Sequence, residues 1–381
     1  MKKAGIITFY KSDNPGAVLQ AYALQKYISQ NGYKAEIIQY ADLKKKSLKM
    51  NPVKRILHNF WYHTLKRKVF KDKKWQRVLK FIDTNDSLSE KRYTSADEIS
   101  KLPPQYDVYI TGSDQVWNDS ITGADYSYYL SFAPDNAVKI AYGASCGSVK
   151  TFLKNKEKKA EYLSRYDVIA VRETNFASVL QSDFGIDAQI VLDPTLLLSA
   201  DEWKNISEQS EIVKKDKYIL CYIMPGDKVV ENGIAQIAEE LNKQTGYKIV
   251  RFGLKDKDRL KFRKDDIFDA GPAEFVRLIA DASFVITNSF HGSVFAVNFG
   301  KNLFGIINGE VDGSLTRASR LISVYELLGM NDRLISFSSK DKSWRASVKS
   351  EDYNYEKASA KLSEERKNSA DYLLKSLELK K

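Results

Sequence analysis

The stretch AGIITFYKSDNPGAVLQAYALQKYISQNGYKAEIIQY, residues 4–40, decides the fold. Its first apolar run, 4–9, is short and rich in β-branched side chains, which predicts a strand rather than a helix. A turn-rich loop at 10–16 follows. Residues 17–31 then place apolar side chains at helical spacing, and Gly32 stands where a helix C-terminus wants a glycine. A second strand-like run at 34–40 completes a strand, helix, strand unit, and strands joined in this way lie parallel.

The same alternation continues along the chain. Strands are predicted at 107–111, 139–142, 168–171 and 188–192, and after a polar stretch at 199–216 again at 218–223, 248–252, 284–287 and 302–306. A helix is predicted over 229–245. Short apolar runs separated by helices imply parallel sheets covered on both faces. The chain has 381 residues, 43% of them apolar, and single cores stop growing near roughly 250–300 residues. The expectation is therefore an α/β protein with two Rossmann-like doubly wound domains facing a cleft. Residues 1–205 form one and residues 206–335 the other. A charged helical tail, 336–381, packs back on the N-terminal domain, with Leu373, Leu374 and Leu377 on one side.

The formal charge of +11 is local. Residues 44–80 contain 14 Lys or Arg and a single acid, Asp72, which leaves the remainder of the chain at −2. Val53, Ile56, Leu57, Phe60, Trp61 and Leu65 share one helical face, so a basic amphipathic helix is expected over 52–81. Such a helix either packs its apolar face on the domain or lies on an anionic membrane surface. No zinc-finger, RRM or helix-turn-helix signature accompanies the charge, so no nucleic-acid partner is expected. Cys146 and Cys221 fit no metal or redox spacing, no apolar run is long enough for a bilayer or a signal-peptide core, and a cytoplasmic protein without disulfides is expected.

In open α/β sheets ligands bind outside the carboxyl ends of the strands, and polar motifs recur at those positions. Thr287-Asn288-Ser289-Phe290-His291-Gly292-Ser293 lies between a strand-like run and a helix-like run and holds the sole histidine after His63. An imidazole titrates near neutral pH, and a following helix offers N–H groups to an anion. The bland alternative is a helix-start residue bonded to its own loop. Asn14 and Gly16, in the loop after the first strand, either present N–H groups to a phosphate or carboxylate or simply cap a helix. No GxGxxG pattern marks a dinucleotide site there. Ser113, Asp114, Gln115, Trp117 and Asn118 combine acid, amide and indole groups in a way that suits a sugar, although Asp114 could cap a helix while Trp117 fills the core. Arg172, directly after a strand, can grip a carboxylate or phosphate with two parallel hydrogen bonds, or start a helix beside Glu173. Lys301, Arg317 and Arg320 could add positive charge near His291. With no GxSxG elbow and no paired-ligand motif, neither a serine hydrolase nor a metal site is expected.

Taken in order, these motifs resemble the polysaccharide pyruvyl transferase family. The match is carried by Thr8-Phe9-Tyr10 with Asn14, Gly16 to Tyr22, Gly112 to Asn118, Lys139 to Tyr142, Val171-Arg172-Glu173, Leu192-Asp193-Pro194-Thr195 and Asn288 to Ser293. The resemblance implies a glycosyltransferase-B-like pair of domains. It also implies transfer of pyruvate from phosphoenolpyruvate, as donor substrate and with no cofactor, onto a saccharide acceptor as a ketal. It gives His291 the catalytic place and makes Arg172 a donor ligand. Asp114 is expected to orient or deprotonate the acceptor hydroxyl. Characterised relatives carry an arginine two residues before that histidine, where this chain has Ser289, so Arg172, Lys301 or Arg320 would supply the cation or the donor would differ. A lipid-linked acceptor would give the basic helix a purpose at the inner membrane face. The competing expectations are a nucleotide-sugar glycosyltransferase and a noncatalytic saccharide-binding protein on the same scaffold.

Overall fold

A computed structural model describes residues 1–40, 73–253, 265–308, 317–338 and 342–380. The basic helix expected over 52–81 lies outside these residues as far as position 72. From there a helix, Lys73–Asn85, packs Val78, Phe81 and Ile82 inward, with Phe81 edge-on to Tyr22 at 5.5 Å. The chain divides into two units, residues 1–197 with 367–381, and residues 198–366.

The first unit contains parallel strands β1 (Lys3–Ile7), β2 (Lys34–Tyr40), β3 (Leu88–Tyr93), β4 (Val108–Thr111), β5 (Val138–Ala144), β6 (Val168–Val171) and β7 (Gln189–Ile190). Their order is β3-β2-β1-β4-β5-β6-β7. The chain winds outward from β1 and then returns to its other side, so the direction of winding reverses between β1 and β4. β1 ends before Thr8 because that hydroxyl turns inward and donates to the Ser113 carbonyl at 2.9 Å. Helix Pro15–Gln30 begins two residues earlier than its apolar periodicity suggests. Asn14 Oδ1 accepts from Gly16 N at 3.1 Å, and Pro15 occupies the first turn, where no N–H is needed. The helix closes with Gly32 at φ 87°. β3 is absent from the expected strands because only Ser89 and Tyr93 of its six residues are buried.

Ala4, Ile6, Leu24, Ile28, Val108, Ile110 and Ile140 form the centre of this core, joined by Leu373 and Leu377 from helix Glu356–Leu377. Burying each of those two leucines contributes roughly 1.5–3 kcal/mol. Ser369 Oγ also accepts from Leu192 N at 2.9 Å.

The second unit contains β8 (Tyr218–Tyr222), β9 (Lys248–Phe252), β10 (Phe284–Thr287), β11 (Asn302–Asn308) and β12 (Leu334–Phe337), again parallel, in the order β12-β11-β10-β8-β9. Here the winding reverses between β8 and β10. Ile219, Ile234, Ile237, Leu241, Ile286, Phe304 and Phe337 fill its core. β12, at the sheet edge, is only four residues long and buries two of them, Ile335 and Phe337, which leaves too short a pattern to stand out in sequence.

Two boundaries differ from expectation. The first unit ends at Leu197, ahead of residue 205, because a reciprocal Ser199–Glu202 capping box opens helix Ala200–Ser207. That helix carries the fully buried Trp203 against Phe295 at 4.8 Å, in the second core. The tail is not one body either. Trp344 and Val348 belong to the second core, and the first unit takes the chain only from Lys367. No helix among the described residues is long and apolar enough to cross a membrane.

Candidate active site

At the carboxyl end of the second sheet, the loops after β8 and β10 are locked together across the winding reversal. Thr287 Oγ1 donates to Tyr222 O at 2.7 Å. The Asn288 amide accepts from Met224 N at 2.7 Å and donates to Met224 O at 2.8 Å. Ser289 Oγ caps helix Phe290–Asn298 by accepting from Gly292 N at 3.2 Å. Burial pushes the Tyr222 phenol up, and its bond to Ser289 works against that rise. A Cβ on Gly292 would lie 2.7 Å from Thr287 Oγ1 and 2.8 Å from Tyr222 Cδ1, so only glycine lets the first turn sit this close to β8. His291 occupies that first turn, 4% exposed, with Phe290 edge-on at 5.3 Å. Ser293 Oγ meets Tyr325 OH at 3.1 Å and ties the helix to its neighbour Arg317–Leu327.

The carboxyl end of the first sheet is organised around one guanidinium. Arg172 NH1 pairs with Asp193 Oδ2, and Arg172 NH2 lies 3.7 Å from Asp114 Oδ1. Burial disfavours this charge, and the Asp193, Glu173 and Asp114 carboxylates more than offset that, so its pKa is raised. Asp193 also accepts from Ser113 Oγ at 2.9 Å, Thr195 N at 3.0 Å and Thr195 Oγ1 at 2.6 Å. Ser145 Oγ donates to Glu173 Oε1 at 2.7 Å. Asp114 is held in the left-handed region at φ 73°, its carbonyl accepting from Val116 N at 2.8 Å and Ser145 N at 3.0 Å. A non-glycine residue in that region is strained and persists only where its surroundings over-determine it.

A family model described as polysaccharide pyruvyl transferase matches residues 14–310, most of the chain. The chain belongs to this family. The ordered motifs were a sufficient guide to it, and no curated protein matches the chain. Among solved structures, the putative UDP-N-acetylglucosamine 2-epimerase of Listeria monocytogenes is similar at 11% identity, over 97% of this chain and 90% of that one, with a TM-score of 0.52. A structure of S. aureus MnaA with UDP is similar at 12% identity, over 100% and 99%, also with a TM-score of 0.52. An alpha-glucosyltransferase (AGT) in complex with UDP matches at 11% identity, over 98% and 95%, with a TM-score of 0.48. At these identities the likeness to the first two shows the fold alone, a two-domain α/β architecture.

Within this pyruvyl transferase family member, several residues singled out from sequence have structural duties instead. Trp117 is fully buried, stacked on Tyr129 at 5.3 Å and donating Nε1 to Tyr128 O at 3.1 Å. It cannot cover a sugar ring. Asn118 caps a short helix and pairs with Gln115 at 2.8 Å. Asn14 and Gly16 form the cap of the first helix, and Asn288, Ser289 and Gly292 build the strand-to-helix turn that carries His291. Lys301 precedes β11 and therefore sits at the amino end of the sheet, opposite His291. Arg320 lies in the opening turns of helix Arg317–Leu327, after the carboxyl end of β11, and so shares the His291 end. The sequence passes over Asp193 and Glu173 as site residues. Their positions in the loops that follow β7 and β6 were the available signal.

Proposed function

We propose that this chain transfers the pyruvyl group of phosphoenolpyruvate onto two hydroxyls of a saccharide as a cyclic ketal, releasing phosphate. Family membership supports the transfer. The observation that carries the site is His291 in the first turn of a helix that starts directly after β10, beside the reversal of winding in the second sheet, where ligands of open α/β sheets bind. The donor bears a carboxylate and a phosphate, which need dipoles and cations to replace lost hydration. The N–H groups of that first turn and the Arg320 guanidinium are suited to this, and the Ser289 hydroxyl is already engaged as a cap.

The chemistry then runs as proton transfer and substitution. His291 protonates the methylene carbon of the enol, which becomes a methyl group, and one sugar hydroxyl attacks the resulting cationic carbon. Phosphate leaves, and the second hydroxyl closes the ring. Each hydroxyl loses its proton, one replacing the proton that His291 gave and the other leaving with phosphate. Asp114 accepts from the acceptor hydroxyl. Arg172, with its charge matched by Asp193, holds the Asp114 carboxylate rather than a substrate. The acceptor is a cytoplasmic precursor of a cell-envelope or capsular polysaccharide, lipid-linked where the basic stretch at 44–80 meets an anionic membrane.

Phosphate release from phosphoenolpyruvate, measured with a panel of lipid-linked and nucleotide-linked saccharides, tests this. His291→Ala should lower the rate by about 10²–10⁴-fold, the usual size of a general acid's contribution. Arg320→Ala should mainly raise KM for phosphoenolpyruvate. Equal release by wild type and His291→Ala defeats the assignment. Turnover of a sugar nucleotide with no release from phosphoenolpyruvate would establish glycosyl transfer instead.

A further inference from the structure

Helices Phe290–Asn298 and Arg317–Leu327 carry His291 and Arg320. Each connects neighbouring parallel strands, the first β10 to β11 and the second β11 to β12, and crossovers of this kind are right-handed, which puts both helices on the same face of the sheet. They therefore run side by side in the same direction. A buried polar contact joins them, with Ser293 Oγ and Tyr325 OH 3.1 Å apart on residues 0% and 2% exposed.

The contact is fixed at one height along the sheet. A Cβ on Gly305 of β11 would lie 2.4 Å from the Tyr325 hydroxyl oxygen and 2.6 Å from Cζ, so only glycine admits the phenol here. Gly305 pairs with Thr287, the last residue of β10, whose Oγ1 accepts from Ser289 N at 3.0 Å in the turn that leads to His291. Adjacent strands are about 4.8 Å apart, so the phenol tip stands beside the root of that turn. Burial pushes the Tyr325 phenol up, with its Ser293 bond working against the rise, and the neutral hydroxyl can donate or accept. At a rise of 1.5 Å per residue, His291 lies about 3 Å and Arg320 about 7.5 Å from the contacting residues of their own helices, both toward the carboxyl end of the sheet. Helical side chains lean toward the helix N-terminus, which takes up part of the difference on the Tyr325 side. The tie thus brings His291 and Arg320 to similar heights. An apolar pair would pack without selecting one alignment, whereas two buried hydroxyls satisfy each other only at one, and a slip leaves both unpaired.

We propose that Tyr325 and Ser293 are positioning residues for the donor: their hydroxyl pair holds the Arg320 helix at the height where its guanidinium and the first turn of the His291 helix serve the same anion. The inference rests on the donor reading given above and adds the contact through which donor affinity is set.

The full chain has 3 histidines, so labelling them with carbon-13 at Cε1 gives few imidazole NMR signals, and the one lost in His291→Ala belongs to His291. Its shift on titration with phosphoenolpyruvate, with no acceptor present, yields a dissociation constant without turnover. Tyr325→Phe and Ser293→Ala should each raise that constant about three- to tenfold, the factor that one net hydrogen bond represents. In an Arg320→Ala background the same changes should raise it less than about twofold, because a tie that acts through Arg320 has nothing left to place. Hydroxyls that served only the fold would lower Tm and leave the binding factor the same in both backgrounds. The inference is overturned if either variant binds phosphoenolpyruvate as tightly as wild type, or if the weakening is equal with and without Arg320. A wild-type His291 signal that ignores phosphoenolpyruvate defeats the donor reading and this inference with it, whereas a responsive wild type with unweakened variants defeats the tie alone.

Discussion

The two sheets present opposite electrostatics at their carboxyl ends. In the first unit a single guanidinium, Arg172, is surrounded by Asp193, Asp114 and Glu173. In the second, an imidazole lies in a helix's first turn with Arg320 at the same end. Both ends are doubly wound reversals, so topology makes each a place for a ligand, and only the side chains distinguish them. A carboxylate-rich end suits neutral hydroxyls, which can donate to it, and resists a doubly charged donor. The end with cations and N–H dipoles suits the donor. Finding Arg172 after a strand does not make it a substrate ligand, because Asp193, Glu173 and Asp114 already match its charge.

The strongest way to break this contrast is Arg172→Ala. Removing one partner of a buried ion pair leaves the other charge uncompensated, which costs about 3–5 kcal/mol. Urea unfolding should register that loss, and adding Asp193→Asn should recover part of it, because the two residues act as a unit. If Arg172→Ala instead folded with undiminished stability and raised KM for phosphoenolpyruvate, Arg172 would be a donor ligand and the two ends would not divide the work as proposed.

How much of this was legible in the sequence follows from which interactions are local. Strand and helix periodicity placed β1, β2, β4 and the helix at Lys228–Thr245, because each buries its own regular face. It passed over β3 and β12, edge strands whose few buried residues leave little pattern. The family motifs put His291 at a strand's carboxyl end, since strand, turn, glycine and helix are contiguous there. They could not reveal that Arg172 pairs with Asp193, 21 residues on, or that Trp117 stacks within the core, because both depend on which strands become neighbours. Lys301 was drawn to His291 by closeness in sequence. The intervening helix Phe290–Asn298 instead carries the chain back to the other end of the sheet.

A smaller effect sharpens the account of the second end. Gly292→Ala introduces a methyl group within 2.8 Å of Thr287 Oγ1 and Tyr222 Cδ1. Overpacking of this kind costs typically about 1–3 kcal/mol. Because His291 precedes Gly292, the shift that relieves the clash should also displace the imidazole. Turnover should therefore fall together with Tm. An unchanged Tm with unchanged turnover would mean that the turn is looser than its contacts indicate.

The smallest expected effect separates scaffold from ligand at Ser289, the position where the family resemblance leads one to expect an arginine. Ser289→Ala removes an N-cap, a loss of about 1 kcal/mol. KM for phosphoenolpyruvate should stay within about twofold, since that factor corresponds to well under 1 kcal/mol. Ser289→Arg loses the same cap but adds a guanidinium beside the first turn of the His291 helix. If Arg320 supplies the donor's cation in place of the arginine that the resemblance leads one to expect at 289, Ser289→Arg should restore donor affinity to an Arg320→Ala background, and Ser289→Ala should not. Failure of that rescue, with both proteins folded, would place the donor's charges elsewhere than at the His291 end.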